Sequence, residues 1–82
     1  MRFVNEPTAV EGHFEGDGAV HPRRFTWNQH WLDVTDVGRQ WTEADGRHLL
    51  VMVAGRHVFE LLLNRENLAW HIVRAPDEWG VA

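Results

Sequence analysis

The stretch HLLVMVAGRHVFELLL, residues 48–63, contains two apolar runs separated by a glycine and an arginine. Valine and phenylalanine favour strands, and Gly55-Arg56 fits a type II′ hairpin turn, which takes glycine first. The stretch therefore predicts two antiparallel strands, residues 48–54 and 57–63. A helix over residues 56–67 is the alternative, because leucine favours helices, but three adjacent leucines do not form the stripe of an amphipathic helix.

Turn signals recur at short intervals along the rest of the chain, which is typical of an antiparallel meander. Asn28-Gln29 and Asp45-Gly46 fit two-residue hairpin loops, and Gly38 predicts a bulge. We expect one all-β domain over residues 1–82, with five or six strands in a strongly bent sheet or partly open small barrel. The strands are predicted at residues 8–14, 21–27, 30–42, 48–54, 57–63 and 68–74. The tail, residues 76–82, is expected to be loosely ordered unless Trp79 anchors it.

The predicted turns also set the pairing register, and thereby the face on which each side chain lies. A two-residue loop at Gly55-Arg56 places Leu50 opposite Leu61, and a four-residue turn at residues 64–67 places Leu61 opposite Trp70. The face interpreted as the core then carries Trp41, Leu50, Met52, Phe59, Leu61, Leu63, Leu68, Trp70 and Ile72.

The opposite face is also apolar in this register, whereas a half-solvated sheet alternates with polar residues. It carries Leu49, Val51, Val53, Val58, Glu60, Leu62, Ala69, His71 and Val73. One explanation is cover by the N-terminal strands through Phe14, Phe25, Trp27, Leu32 and Val34. The other is a homodimer whose self-association face consists of Val51, Val53, Val58, Leu62 and Val73. Glu60 and His71 would lie opposite each other as a buried polar pair, or as a carboxylate-polarised general base.

The composition offers little for catalysis. The 82 residues include no cysteine, serine, tyrosine or lysine, so the common nucleophiles are missing, and we expect no catalytic residue and no cofactor. The six histidines are separated by 8, 9, 18, 9 and 14 residues, which matches no usual metal-ligand spacing, so no metal site is predicted. A metal-dependent hydrolase built around Glu60 and His71, with other histidines recruited in space, stays open.

A modest case exists for single-stranded nucleic acid. Arg23, Arg24, Trp27 and Trp31 combine guanidinium groups and aromatic rings on adjacent strands, as in small barrels that stack bases. The net charge of −4 opposes binding that depends on phosphate neutralisation. The N-terminus lacks an apolar signal run and no apolar run reaches 18 residues, so we expect a cytoplasmic location and no membrane contact.

Short aromatic motifs between residues 22 and 74 carry a family resemblance. They are Phe25-Thr26-Trp27, Asn28-Gln29, Trp31-Leu32-Asp33-Val34, Trp41 and Trp70-His71-Ile72, preceded by Asp17-Gly18 and Pro22. This pattern resembles a small bacterial all-β domain family of unknown function, some of whose relatives are associated with accessory subunits of DNA-damage-tolerance polymerases. The chain departs from the family at Asn28-Gln29, where the turn usually has a Gly-Arg character. The resemblance implies a bacterial, partner-binding accessory module. Together with the two-sided apolar pattern, it makes a non-catalytic, self-associating interaction domain the leading functional hypothesis.

Overall fold

The computed structural model describes residues 1–77, and these form a single seven-stranded antiparallel sheet with no helix. The predicted all-β meander is confirmed, and the sheet is not closed into a barrel. The strands are β1 (Arg2–Pro7), β2 (Val10–Phe14), β3 (Val20–Trp27), β4 (His30–Glu43), β5 (Gly46–Val53), β6 (His57–Asn64) and β7 (Trp70–Ala75). Their order across the sheet is β1-β7-β6-β5-β4-β3-β2.

The first strand was not predicted, and it completes the sheet in an unusual way. β1 pairs with β7 and β2 pairs with β3, so two consecutive strands occupy opposite ends of the strand order. Thr8 and Ala9 connect them. The amide of Thr8 donates to the Trp70 carbonyl over 3.1 Å, and the amide of Thr26 donates to the Ala9 carbonyl over 3.1 Å. The chain itself therefore links the two ends of the sheet, without a ladder between β1 and β2.

The sheet is strongly bent around its aromatic core. Phe25 on β3 and Phe59 on β6 are three strands apart, which in a flat sheet would be about 14 Å. Their ring centroids are only 5.1 Å apart, in an edge-to-face arrangement, and Trp27 meets Phe59 at 5.4 Å. The fully buried side chains from β3, β5, β6 and β7 therefore enclose one core: Phe25, Trp27, Leu49, Val51, Val53, Phe59, Leu61, Ile72 and Ala75.

The predicted face of β5 is wrong because its hairpin loop is longer by one residue. Val53 pairs with His57 and Val51 with Phe59, so the loop is Ala54-Gly55-Arg56 instead of Gly55-Arg56. A shift of one residue moves every side chain of a strand to the opposite face. Consequently Leu49, Val51 and Val53 are in the core, while Leu50 and Met52 lie on the outer face, half-buried.

The registers predicted from the other two turns are each shifted by two residues. Glu43 pairs with Gly46, so the β4–β5 loop is Ala44-Asp45 instead of Asp45-Gly46. On β6 and β7 Leu61 pairs with Ile72, which keeps the predicted inward face of Phe59, Leu61 and Ile72. Leu68, predicted in the core, is 69% exposed and precedes β7. Trp41, also predicted there, pairs with His48 on the outer face.

Two further predictions about the ends of the core have clear outcomes. The N-terminal half does cover the inward valines, because Phe25 and Trp27 are buried and Leu32 and Val34 pack against the core, but Phe14 is 62% exposed. In the C-terminal tail, Pro76 is half-buried, and the Asp77 carboxylate forms an ion pair with the Met1 ammonium group at 3.1 Å. The rest of the predicted loose tail, including Trp79, lies outside the described residues.

Candidate functional site

A solvent-open cavity of about 440 Å³ lies where three hairpin turns meet at one end of the sheet. Its size falls in the range of ligand pockets, about 300–1,000 Å³. We call it the Leu68 cavity. It is lined by Phe14, Gly18, Val20, Thr42, Gly46, Arg47, Leu63, Asn64, Arg65 and Leu68. The turns β2–β3, β4–β5 and β6–β7 all contribute, because alternate turns of a meander lie at the same end.

Leu68 is the most unusual residue of this cavity. Its φ of 58° is in the left-handed region, which a bulky side chain disfavours. The turn imposes this conformation: the Leu68 amide donates to the Asn64 carbonyl, and the Asn64 amide donates to the Ala69 carbonyl, both over 2.9 Å. The Asn67 carboxamide oxygen also accepts the Ala69 amide at 2.9 Å. Backbone strain of this kind clusters at functional sites.

Two arginines stand at the rim with different environments. Arg47 is half-buried and its guanidinium donates to the carbonyl of Gly18, which ties the β4–β5 hairpin to the β2–β3 turn. Arg65 is exposed. Its backbone amide donates to the Asp45 carbonyl at 3.0 Å, but within residues 1–77 its guanidinium has neither a hydrogen bond nor an ion pair. The cavity thus combines apolar walls with two arginines that have no ion pair within residues 1–77, and of these only the Arg65 guanidinium also has no hydrogen bond.

The opposite end of the sheet has a second cavity, of about 450 Å³, at the β3–β4 turn. Its lining includes Thr26, Trp27, Asn28 and Gln29. The indole Nε1 of Trp27 is buried without a hydrogen-bond partner among the described residues. The ring nonetheless contributes fully to the core through its contact with Phe59.

The outer face of β5 and β6 carries a polar cluster whose residues the predicted register placed on opposite faces of the sheet. His48 is 4% exposed and Glu60 is 5% exposed, and His48 Nδ1 lies 2.7 Å from Glu60 Oε2. Glu60 Oε1 also forms an ion pair with Arg74 Nε at 3.2 Å. Nε2 of His48 contacts Asp45 at 2.7 Å and Glu43 at 2.9 Å.

Three neighbouring carboxylates favour the charged form of His48. Burial alone lowers the pKa of its imidazole, but the hydrogen bonds to Asp45 and Glu60, with the charges of Asp45 and Glu43, outweigh burial and raise the pKa above its ordinary value. Trp41 stacks on the ring with centroids 5.3 Å apart and planes 14° apart. The cluster is accounted for as a buried imidazolium compensated by carboxylates.

A third group of ligand-type side chains lies on the β2–β3 hairpin. His13 and His21 are cross-strand partners, and their ring centroids are 5.1 Å apart. Nε2 of His13 is 3.0 Å from Oε1 of Glu15, and Nε2 of His21 is 3.7 Å from the same oxygen. All three residues are exposed.

The predicted self-association face is divided between the two sides of the sheet. Val51 and Val53 point into the core and are 1% and 3% exposed. Leu62 is buried on the outer face, where Val58 is half-buried, and Val73 is half-buried within the register shift of β7. The contact surface as predicted from the sequence is therefore wrong, because two of its five residues are unreachable from outside.

The predicted nucleic-acid residues are likewise only partly available. Trp27 is buried in the core, so it cannot stack on a base. Arg24 lies over the Trp31 ring, 4.4 Å from its centroid, and binds Glu11 at 2.6 Å. That hydrogen bond lowers the pKa of the Glu11 carboxyl. Arg23 and Trp31 remain exposed.

The predicted pair of Glu60 and His71 does not form. A register change between Glu60 and Leu61 places Arg74 opposite Glu60, while His71 pairs with Leu62. Glu60 is buried as expected, but its histidine is His48. The signal that identifies the real pair is simple: two polar residues on neighbouring apolar strands are satisfied only if they share a face.

Comparison with protein-family models, with curated proteins and with solved structures finds no match to this chain. The family resemblance of the aromatic motifs therefore stays an expectation. Across residues 1–77 there is also no helix long and apolar enough to cross a membrane.

Proposed function

We propose that the protein is a non-catalytic interaction module that binds, in the Leu68 cavity, an apolar side chain of a partner protein with an acidic group beside it. The observation that carries the proposal is the combination at Leu68: a bulky apolar side chain held in a left-handed conformation and 69% exposed at an apolar cavity. A leucine confers no advantage there for folding, because glycine or asparagine adopts this conformation more easily.

The exposure of the cavity walls favours a protein partner over a small ligand. Phe14 and Leu68 are 62% and 69% exposed, and a pocket normally buries 70–90% of a small ligand's surface. A small molecule would leave the outer parts of these two side chains in water. A protein surface would cover them, and central apolar anchors of this kind carry much of the binding energy of interfaces.

The positive charge at the rim of the cavity indicates which group of the partner lies beside the inserted apolar side chain. Arg65 has an unneutralised guanidinium beside the cavity, and arginine is enriched at protein interfaces. A carboxylate next to the inserted side chain would accept from its donors. The fit is therefore to an aromatic or aliphatic residue flanked by aspartate or glutamate.

The test uses two probes with this chemistry. The dye 8-anilinonaphthalene-1-sulfonate combines an apolar ring system with an anion, and we expect the folded protein to increase its fluorescence. A peptide with phenylalanine flanked by aspartates should displace the dye, and its lysine-flanked counterpart should not. A cooperative thermal transition under the same conditions excludes dye binding to a molten globule.

Variants locate the binding. Leu68→Gly removes the apolar side chain and relieves the left-handed strain, so it should lower dye and peptide affinity at least about tenfold without lowering the melting temperature. Arg65→Gln should lower the affinity for the acidic peptide by more than it lowers the affinity for the dye, because the apolar contacts of the dye do not depend on the guanidinium. Phe3→Ser is the matched control, because Phe3 is 78% exposed and does not line the cavity. Equal binding by Leu68→Gly and the parent protein, or a stronger effect of Phe3→Ser, overturns the proposal.

A further inference from the structure

The β2–β3 hairpin carries two imidazoles and a carboxylate whose ligand atoms converge, and nothing in the proposed partner binding uses them. One ring nitrogen of His13, one of His21 and a Glu15 oxygen all lie within 4.8 Å of one another. We propose that His13, Glu15 and His21 form a zinc site on the outer face of this hairpin. Two histidines and a glutamate are a donor set that zinc takes in proteins, with a fourth position left for water.

The distances fit tetrahedral coordination. Ligand atoms bound to zinc at about 2.0–2.1 Å and tetrahedral angles lie about 3.3–3.4 Å apart. The two distances from the Glu15 oxygen, 3.0 Å to His13 Nε2 and 3.7 Å to His21 Nε2, stand on either side of this value. Both imidazoles present the same nitrogen to the same oxygen, so small rotations of three exposed side chains complete the site.

The backbone under these side chains is fixed. A β-bulge after Glu11 brings β2 so close to β3 that a side-chain carbon at Gly12 would lie 2.7 Å from Pro22 Cα. Glycine is therefore required next to His13, and the bulge sets the register in which His13 pairs with His21.

The turn beyond β2 holds the third ligand. The Glu15 amide donates to the Ala19 carbonyl at 2.8 Å, and the Glu15 carbonyl accepts from the Gly18 amide at 3.0 Å. The Asp17 carboxylate also accepts the Ala19 amide at 3.0 Å. Glu15 thus leaves a rigid turn at a defined angle toward the two rings, which is the preorganisation that a metal site requires.

The second group of possible ligands, Glu43, Asp45 and His48, is a poorer candidate for a zinc site. Its imidazole already has a carboxylate on each nitrogen, and these carboxylates raise its pKa, whereas a ligating histidine must be neutral. The rings of His13 and His21 have only Glu15 as an ion-pair partner among the described residues.

The test is titration of the full chain, without a histidine tag, with zinc chloride at pH 7.5 by isothermal calorimetry. We expect one zinc per chain and no comparable binding of magnesium, which prefers oxygen ligands. Loss of a residue that only hydrogen-bonds to a metal ligand lowers metal affinity about 10- to 100-fold. Loss of a ligand itself should cost at least as much, so His13→Ala and His21→Ala should each lower the zinc affinity by at least about tenfold. His30→Ala, which replaces an exposed histidine at the start of β4, should bind as the parent protein does.

Nitrogen-15 NMR of the histidine rings provides a second readout that does not depend on affinity. Zinc should shift the Nε2 resonances of His13 and His21 together and leave His30 unchanged. Asp45→Asn distinguishes the proposed site from the His48 cluster, because Asp45 belongs only to that cluster. This variant should leave the zinc titration unchanged. Absence of saturable binding up to 1 mM zinc overturns the proposal. So does binding that Asp45→Asn abolishes while His13→Ala and His21→Ala leave it intact.

Discussion

Replacing His48 by leucine tests the physical account of the outer face most directly. The substitution keeps a side chain of similar volume but removes the partner of Glu60 Oε2, which lies 2.7 Å from His48 Nδ1 and is buried. Breaking one side of a buried charged pair costs about 3–5 kcal/mol of folding stability. Because Arg74 still binds the other oxygen of Glu60 over 3.2 Å, we expect the lower end, about 3 kcal/mol.

A loss of this size is large for the domain. The free energy of unfolding of 82 residues is about 4–12 kcal/mol at roughly 0.05–0.15 kcal/mol per residue. For a domain of this length about 1 kcal/mol shifts the melting temperature by about 4–8 °C, so His48→Leu should melt about 12–24 °C lower. Urea unfolding followed by circular dichroism measures the free energy, and an unchanged denaturant slope confirms that the variant keeps the compact fold.

The double variant His48→Leu/Glu60→Leu separates pairing from packing. Hydrophobic replacement of a whole buried pair is often neutral or stabilising, so the double variant should be more stable than either single variant. His30→Leu, at an exposed position, controls for an added leucine and should change stability by no more than about 0.5 kcal/mol. A loss below about 1 kcal/mol in His48→Leu, or single effects that simply add in the double variant, would show that His48 and Glu60 do not stabilise the fold as a charged pair.

Three further predictions concern pH, a turn and self-association. The raised pKa of His48 means that its stabilising charge is complete below the unfolded value of about 6.5 and is lost as pH rises through the folded pKa. The melting temperature of the parent protein should therefore fall relative to His48→Leu between pH 6 and pH 9, and parallel pH profiles would contradict this. Gly46→Ala should destabilise by about 1–3 kcal/mol in urea unfolding, because φ is 146° and the new carbon meets the Leu63 carbonyl, whereas Gly16→Ala, with open space around it, should be neutral. Self-association through the outer face stays a prediction: light scattering supports it if a dimer mass falls to one chain in Val58→Asp, and a monomeric parent protein rejects it.

Local signals in the sequence were sufficient to predict the fold class and the Asn28-Gln29 turn, whereas the loops predicted at Asp45-Gly46 and Gly55-Arg56 are each wrong by one residue. Asn28 and Gln29 both have positive φ, 50° and 67°, as a two-residue hairpin of type I′ requires. The bulge predicted at Gly38 falls within a register shift of β4. β1 was not predicted because it pairs with β7, which is distant in sequence. This pairing depends on how the chain passes from one end of the sheet to the other through Thr8, and no local pattern encodes it.

The binding sites were harder to predict because they form across turns. The Leu68 cavity combines three turns that are distant in sequence, so no local motif could indicate it. His13 and His21 are different: predicted strands over residues 8–14 and 21–27 with a turn between them already placed these histidines near each other. The usual spacing rules describe ligands on one strand or one helix, and they miss a pair formed across a hairpin.

The His48–Glu60 pair also explains why the chain adopts the observed register of β5. In the register predicted from Gly55-Arg56, His48 would lie opposite Leu63 on the core face, and Glu60 would lie on the opposite face without it. A polar group buried without a hydrogen bond costs free energy in either position. Both faces of β5 are apolar, with Leu49, Val51 and Val53 on one side and Leu50 and Met52 on the other, so burial of hydrophobic side chains discriminates weakly between the two registers. The choice is therefore made by the polar residues, and only the three-residue loop at residues 54–56 places the imidazole, its carboxylate and Arg74 on one face.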